Sequence, residues 1–172
     1  MTSTGGSATT WRPPSGSTYK LNFNAAMFPK MWISGYGAVI RNEKGEVMAA
    51  YSARGPTVVD SEETEVLACH KALEFAVDAG FFELINEGDN FIVMKAISST
   101  RVNCSHLGHI YEDIRCIATG LRRISISCVQ HSENAMAHSL ARFAREIENE
   151  VVWLGDSPPP ALEALYSVSL LL

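Results

Sequence analysis

Four residues far apart in the chain carry side chains that can hold a cation or a polar ligand if the fold brings them together: Asn24, Glu65, Asp89 and His138. Two are acids. The other two are neutral ligand-type groups, an amide carbonyl and an imidazole. In open α/β sheets, sites gather where strands end and crossover helices begin, so the four matter chemically if they sit at those points. Each also has a plainer reading alone. Glu65 suits the first turns of a helix as a dipole partner, and Asp89 suits a turn or a helix cap. His138 suits a partly buried, hydrogen-bonded imidazole, and Asn24 the polar face of a strand. Spacing alone leaves catalysis open.

The elements that must position them follow from periodicity. Residues 19–26 alternate, with Leu21, Phe23 and Ala25 on one face and Lys20, Asn22 and Asn24 on the other. Asn is depleted in strands, so Asn24 needs solvent or a task there. A second strand is predicted over 32–41, then a turn at Asn42–Gly45 and a third strand over 46–52, an antiparallel meander. The period then changes. Asp60 and Ser61 can cap a helix with Glu62, Glu63 and Glu65 in its first turns, and Ala68, Ala72 and Ala76 form a smooth stripe before Gly80. Strand 83–87 leads through Gly88, Asp89 and Asn90 into a short helix over 91–99. From Ser105, an amphipathic helix carries Leu107, Ile110, Ile114, Ile117 and Leu121 and stops at Gly120. A strand over 122–129 and a helix over 133–147 complete the pattern. The fold class is α/β: a five-stranded mixed sheet, antiparallel in strands 1–3 and then joined by parallel crossovers, flanked by helices in the order βββαβααβα.

Composition sets the bounds. With 172 residues and 47% hydrophobic content the chain suits one domain with a proper core. A Ser/Thr/Gly/Pro-rich stretch over 1–18 reads as a flexible leader with Trp11 as its one possible anchor, 19–155 as the domain, and 156–172 as a proline-containing extension. The net charge of −5 excludes a domain-wide basic field, though a metal-dependent site for phosphate esters would itself be acidic. Cys69, Cys104, Cys116 and Cys128 show no zinc spacing and read as reduced thiols, mostly in the core, which points to an intracellular protein of nucleus or cytoplasm. No apolar run approaches the ~18 residues of a membrane helix.

Five motifs in order give the chain a resemblance. Asn22–Ala26 (NFNAA) matches N-x-D-G/A-A, and Gly35–Val47 matches G-x-G-x-V-x-R-(D/N)-x-x-G-x-(V/L). Thr64–Ala76 is similar to A-E-A-x-A with its following L-x-x-A, and Asn86–Asn90 stands where E-(S/T/G)-D-(S/N/C) is written. His131–Arg142 (HSENAMAHSLAR) is similar to H-P-E-N-x-x-C-D-x-L-A and R-x-x-N-x-x-A-(D/H)-x-L-A. These stretches resemble the ribonuclease H type 1 family, most closely its plant branch related to the ribonuclease H portion of non-LTR retroelement reverse transcriptases. The segment around Val152, Trp153 and Leu154 resembles that branch's C-terminal end.

The resemblance implies a ribonuclease H-like fold and hydrolysis of the RNA strand of an RNA–DNA hybrid by two divalent metals, Mg²⁺ or Mn²⁺, held by four acids. Carried across, that set is Asn24, Glu65, Asp89 and His138, so two acids remain and the formal site charge falls from four negative to two. Two Mg²⁺ ions on two carboxylates are poorly compensated, while an imidazole suits Mn²⁺ or Zn²⁺ better. His131 falls where bacterial members carry a mobile histidine. Asn22, Ala25 and Asn90 are implied hybrid contacts, and Asn134 reads equally as a contact or a helix cap. His106, His109, Arg122 and Arg123 read as solvated. The implied partner is nucleic acid at modest, salt-dependent affinity; the alternative is a catalytically silent domain binding nucleic acid or a protein partner.

Overall fold

The computed structural model describes residues 9–58 and 60–162. The alternation in the first third produces β1 (Tyr19–Phe28), β2 (Ile33–Arg41) and β3 (Val47–Gly55), paired antiparallel, with Asn24 opposite Gly37. The helix α1 (Ser61–Asp78) begins at the Asp60 cap, whose side chain accepts from the Glu62 N–H. Its crossover delivers β4 (Glu83–Gly88) parallel to β1, with Asn22 opposite Glu87. Two helices follow, α2 (Phe91–Ser98) and α3 (Gly108–Thr119), then β5 (Arg123–Cys128) parallel to β4, and α4 (Ala135–Phe143).

The sheet gains a sixth strand that the sequence pattern does not announce. β6 (Glu150–Leu154) pairs antiparallel with β3, giving the order β5-β4-β1-β2-β3-β6. Expecting five strands missed it because Val152 and Leu154 face solvent beside the half-buried Val151 and Trp153, so no apolar face stands out. The helix read over 133–147 is also shorter, flanked by single 3-10 turns at His131–Asn134 and Ala144–Glu146. Of the four cysteines only Cys69 is buried; Cys104, Cys116 and Cys128 are exposed, which corrects the reading of most of them as core thiols.

The two faces of the sheet are packed differently. On one, Leu21, Phe23, Ala38 and Ile40 meet the α1 stripe Ala68, Ala72 and Ala76, all essentially fully buried. On the other, Val39 and Ala50 meet Met136 and Leu140 of α4. Helix α4 lies directly on β2: a Cβ on Gly37 would fall on the α4 backbone at Ala137 and Ala141, and one on Gly35 would meet Ala141 and Ala144. No helix among the described residues is long and apolar enough to cross a membrane.

A polar cluster underlies α4. Arg41 is 1% exposed, with its guanidinium 3.5 Å over the Trp11 ring. It donates to Asn22 Oδ1 at 3.1 Å and to Met136 Sδ at 3.2 Å. Asn22 Nδ2 passes the connection to Glu87 Oε1 and Asn134 Oδ1, both at 3.2 Å, and Trp11 Nε1 donates to the same Glu87 oxygen at 3.1 Å. Because α4 has no slack above β2, Gly37→Ala is expected to destabilise the fold by about 1–3 kcal/mol. A urea titration should show a lower midpoint with an unchanged slope.

Candidate functional site

The register of β1 with β4 sets the site. Asn22 stands opposite Glu87, and two residues on, where the parallel strands end, Asn24 faces Asp89. Helix α1 brings Glu65 to the same end one turn before the alanine stripe, against Ala25 and beside a cleft of about 260 Å³. The loop after β5 and the start of α4 bring His131 and His138, their ring centroids 4.6 Å apart. The fold therefore gathers Asn24, Glu65, Asp89, His131 and His138 at one end of β1 and β4.

Hydrogen bonding fixes how Asn24 points. Its Oδ1 accepts from the Ala25 N–H at 2.7 Å, and an N–H can only meet the oxygen of an amide. The Nδ2 group is thereby turned to Asp89, donating to Oδ2 at 3.4 Å. His131 Nδ1 lies 3.0 Å from the same Oδ2 and donates to it, since a carboxylate can only accept. One Asp89 oxygen thus has two donors from within the chain. Asn90 next door caps α2, accepting from the Val93 N–H at 3.1 Å.

Electrostatics separate the two acids. Burial, and secondarily the charge of Asp89, push the Glu65 carboxyl up to about 8, with the Ala25 N–H opposing weakly. Its Oε2 is buried without a partner. His138 is pushed down by burial, then by His131 and Arg142, with Asp89 opposing, so its imidazole is neutral at physiological pH. At neutral pH the Glu65 carboxyl therefore stays mostly protonated.

This donor set does not fit a pair of divalent metals. The Asn24 oxygen already accepts a backbone N–H and its nitrogen faces Asp89, so that position offers a cation at most one neutral lone pair and no charge. Among the described residues no three His, Cys, Asp or Glu side chains are arranged to hold a metal ion.

Two implied contacts change character. Asn22 and Asn134 are fully buried. Asn134 donates to the Phe23 carbonyl at 2.8 Å and makes no cap bond to α4, so the cap reading gives way to a tie between α4 and β1. With its amide committed to Glu87, Asn134 and Arg41, Asn22 likewise presents nothing to a ligand. Sequence reasoning also missed Thr9, whose hydroxyl bonds Gln130 at 2.8 Å and Ser132 at 3.2 Å, on either side of His131. Cys128 stands near enough for the Asp89 charge to add to the effect of burial in raising its thiol. Neither carried a spacing signal. His106, His109 and Arg123 are exposed, and Arg122 reaches Glu83 only at 3.8 Å while 76% exposed.

A ribonuclease H-like fold is what this sheet order, with its flanking helices, defines. Solved structures support the fold. RNase H1 from Halobacterium salinarum NRC-1 superposes with a TM-score of 0.69 at 24% identity, covering 76% of this chain and 98% of that one. The N-terminal RNase H domain of rv2228c from Mycobacterium tuberculosis gives 0.64 at 21%, covering 76% and 95%. LC11-RNase H1 in complex with an RNA/DNA hybrid gives 0.62 at 19%, covering 75% and 96%. No curated protein matches the chain. Residues 22–144 match the family described as Reverse transcriptase-like, and the chain belongs to that family.

The raised carboxyl of Glu65 gives stability a pH slope. The unfolded chain loses this proton near the usual value of 4.5 and the folded one near 8, so between them the native state binds more protons and stability falls as pH rises. Each pH unit in that window costs about 1.4 kcal/mol from this group alone. Glu65→Gln is expected to melt above wild type at pH 8 and to lose that advantage by pH 5. Thermal melts across this range check it, and parallel curves would refute the assignment.

Proposed function

We propose that this chain is a ribonuclease H-type nucleic-acid-binding domain that engages RNA–DNA hybrid and has lost most of the hydrolytic capacity its motifs imply. The observation that carries the loss is the Asn24 amide. Its N–H donates to Asp89 where the resembling pattern calls for a third anion. Binding is supported by the Reverse transcriptase-like family, by the fold, and by the fact that LC11-RNase H1, of the same fold, was solved with an RNA/DNA hybrid bound. The finer placement beside plant retroelement relatives rests on the motifs alone, and a preference for Mn²⁺ over Mg²⁺ in any residual activity rests on the His138 imidazole.

Residues in direct reach of a bound strand are then those open at the cluster: Asp89, His131, half-buried His138 and the backbone of Ala25. An acid at position 24 cannot donate to Asp89, and its repulsion would create the demand for cations that the amide removes. Cleavage of a labelled RNA–DNA hybrid in Mg²⁺ and in Mn²⁺ tests this. Wild type is expected to cut at least about a hundredfold more slowly than Asn24→Asp with His138→Asp, the scale of losing one strong charge-stabilising group. Adding Glu65→Gln to that double variant should abolish the gain. Efficient cutting of hybrid by wild type would overturn the loss, and failure of either protein to bind hybrid would overturn the binding.

A further inference from the structure

We infer that the groove between α4 and β6 is a second nucleic-acid site, one for single-stranded nucleic acid continuing past the duplex. This deepens the reading above and rests on it for the duplex. The groove has a volume of about 510 Å³, within the size range of small-ligand clefts. Phe143 and Trp153 form its aromatic wall, ring centroids 6.2 Å apart and tilted at 49°, with two prolines beyond. Trp153 is half-buried, packed against the Val39–Leu140 cluster while it also lines the groove. Arg142 and Arg145 supply the charge, and Glu146 is the single acid in the lining.

Both arginines are exposed, and among the described residues neither guanidinium has an ion-pair or hydrogen-bond partner. Three other arginines of the fold are committed. Arg115 pairs with Glu112 at 3.0 Å, Arg41 is buried against Trp11, and Arg54 donates to the Ala144 and Arg145 carbonyls. In a chain of net charge −5, two free guanidiniums three residues apart beside an indole of the groove wall are a local departure from the average field. Every base has a π-face and every nucleotide a phosphate, so a row of cations beside an aromatic platform is the general recipe for binding a single strand without reading its sequence.

Position connects the groove to the candidate site. Arg142 lies one helical turn beyond His138 on α4, near enough for its charge to oppose protonation of that imidazole. A strand leaving the cluster at His131 and His138 along α4 therefore meets Arg142, then Arg145 and the Phe143–Trp153 wall. An acidic peptide would satisfy the two arginines but has no use for the indole face, so nucleic acid accounts for more of the lining.

The test compares wild type with the Arg142→Gln, Arg145→Gln double variant, both checked by thermal melt, by fluorescence anisotropy on three probes. These are a blunt RNA–DNA hybrid, the same hybrid with an oligothymidylate tail, and the free oligothymidylate. Wild type should bind the tailed hybrid at least about fivefold more tightly than the blunt one, the scale of one stacked base. The double variant should lose that advantage while its affinity for blunt hybrid is unchanged. Its log–log salt slope for the free strand should fall by about 1.4, two phosphate contacts at ~0.7 each. Equal binding of tailed and blunt hybrid by wild type overturns the groove site and leaves the duplex reading standing. Binding of the free strand, lost in the double variant, with no binding of blunt hybrid, overturns the duplex reading and supports the groove. An oligoglutamate peptide that displaces the strand at lower concentration than unlabelled oligothymidylate overturns the inference in favour of an acidic protein partner.

Discussion

Everything at the candidate site hangs from one buried cation. A guanidinium taken out of water is costly unless hydrogen bonds and opposite charge surround it, and Arg41 recruits those partners from four directions. Trp11 lies under it, Asn22 accepts from it, Met136 offers a sulfur, and Glu87 sits one amide away with Lys20 at 3.2 Å on its other oxygen. Burial lowers the guanidinium to about 9 against the pull of Glu87, so it remains charged at neutral pH. The partners belong to β1, β4, α4 and the stretch before β1. Satisfying one charge therefore fixes how those elements sit relative to each other. Asn24 and Asp89 lie two residues further along β1 and β4, so their facing geometry is inherited from the cluster beneath them.

Small side chains do the rest of the positioning. The α1 alanines let that helix lie close on one face, and Gly35 and Gly37 let α4 lie close on the other. Two helices on opposite faces can then deliver Glu65 and His138 to the same end of the same pair of strands. A larger residue on either stripe would lift one helix and separate its ligand-type residue from the rest. The site is therefore a property of backbone approach as much as of the polar residues that form it.

The sequence makes the skeleton legible wherever period and cap agree. Alternation predicts β1 to β3, the Asp60 cap and alanine stripe predict α1, and the order of motifs predicts which four residues converge. What stays hidden depends on partners distant in the chain. Arg41 is an ordinary polar residue at the end of a strand until Trp11, Asn22 and Met136 meet it, and no periodicity carries that information. Asn22 and Asn134 read as contacts or caps because their amides pair with one another across more than a hundred residues. Strand β6 stays unread because an edge strand with two side chains in solvent has no apolar face to display. The exposed cysteines mislead for the converse reason: Cys116 sits among the apolar residues of α3 but faces away from them.

The amide at position 24 also lowers the cluster's demand for a cation. With an acid there, three carboxylates would converge on one end of two strands, each raising the proton affinity of the others, in a place where burial already holds Glu65 mostly protonated. The Asn24 N–H and the His131 ring instead converge on one Asp89 oxygen, and Glu65 alone is left with an unpartnered oxygen. Sites built for chemistry commonly carry unrelieved repulsion that a ligand removes, and relieving it within the chain favours stability over turnover. In this cluster the Asn24 amide supplies part of that relief.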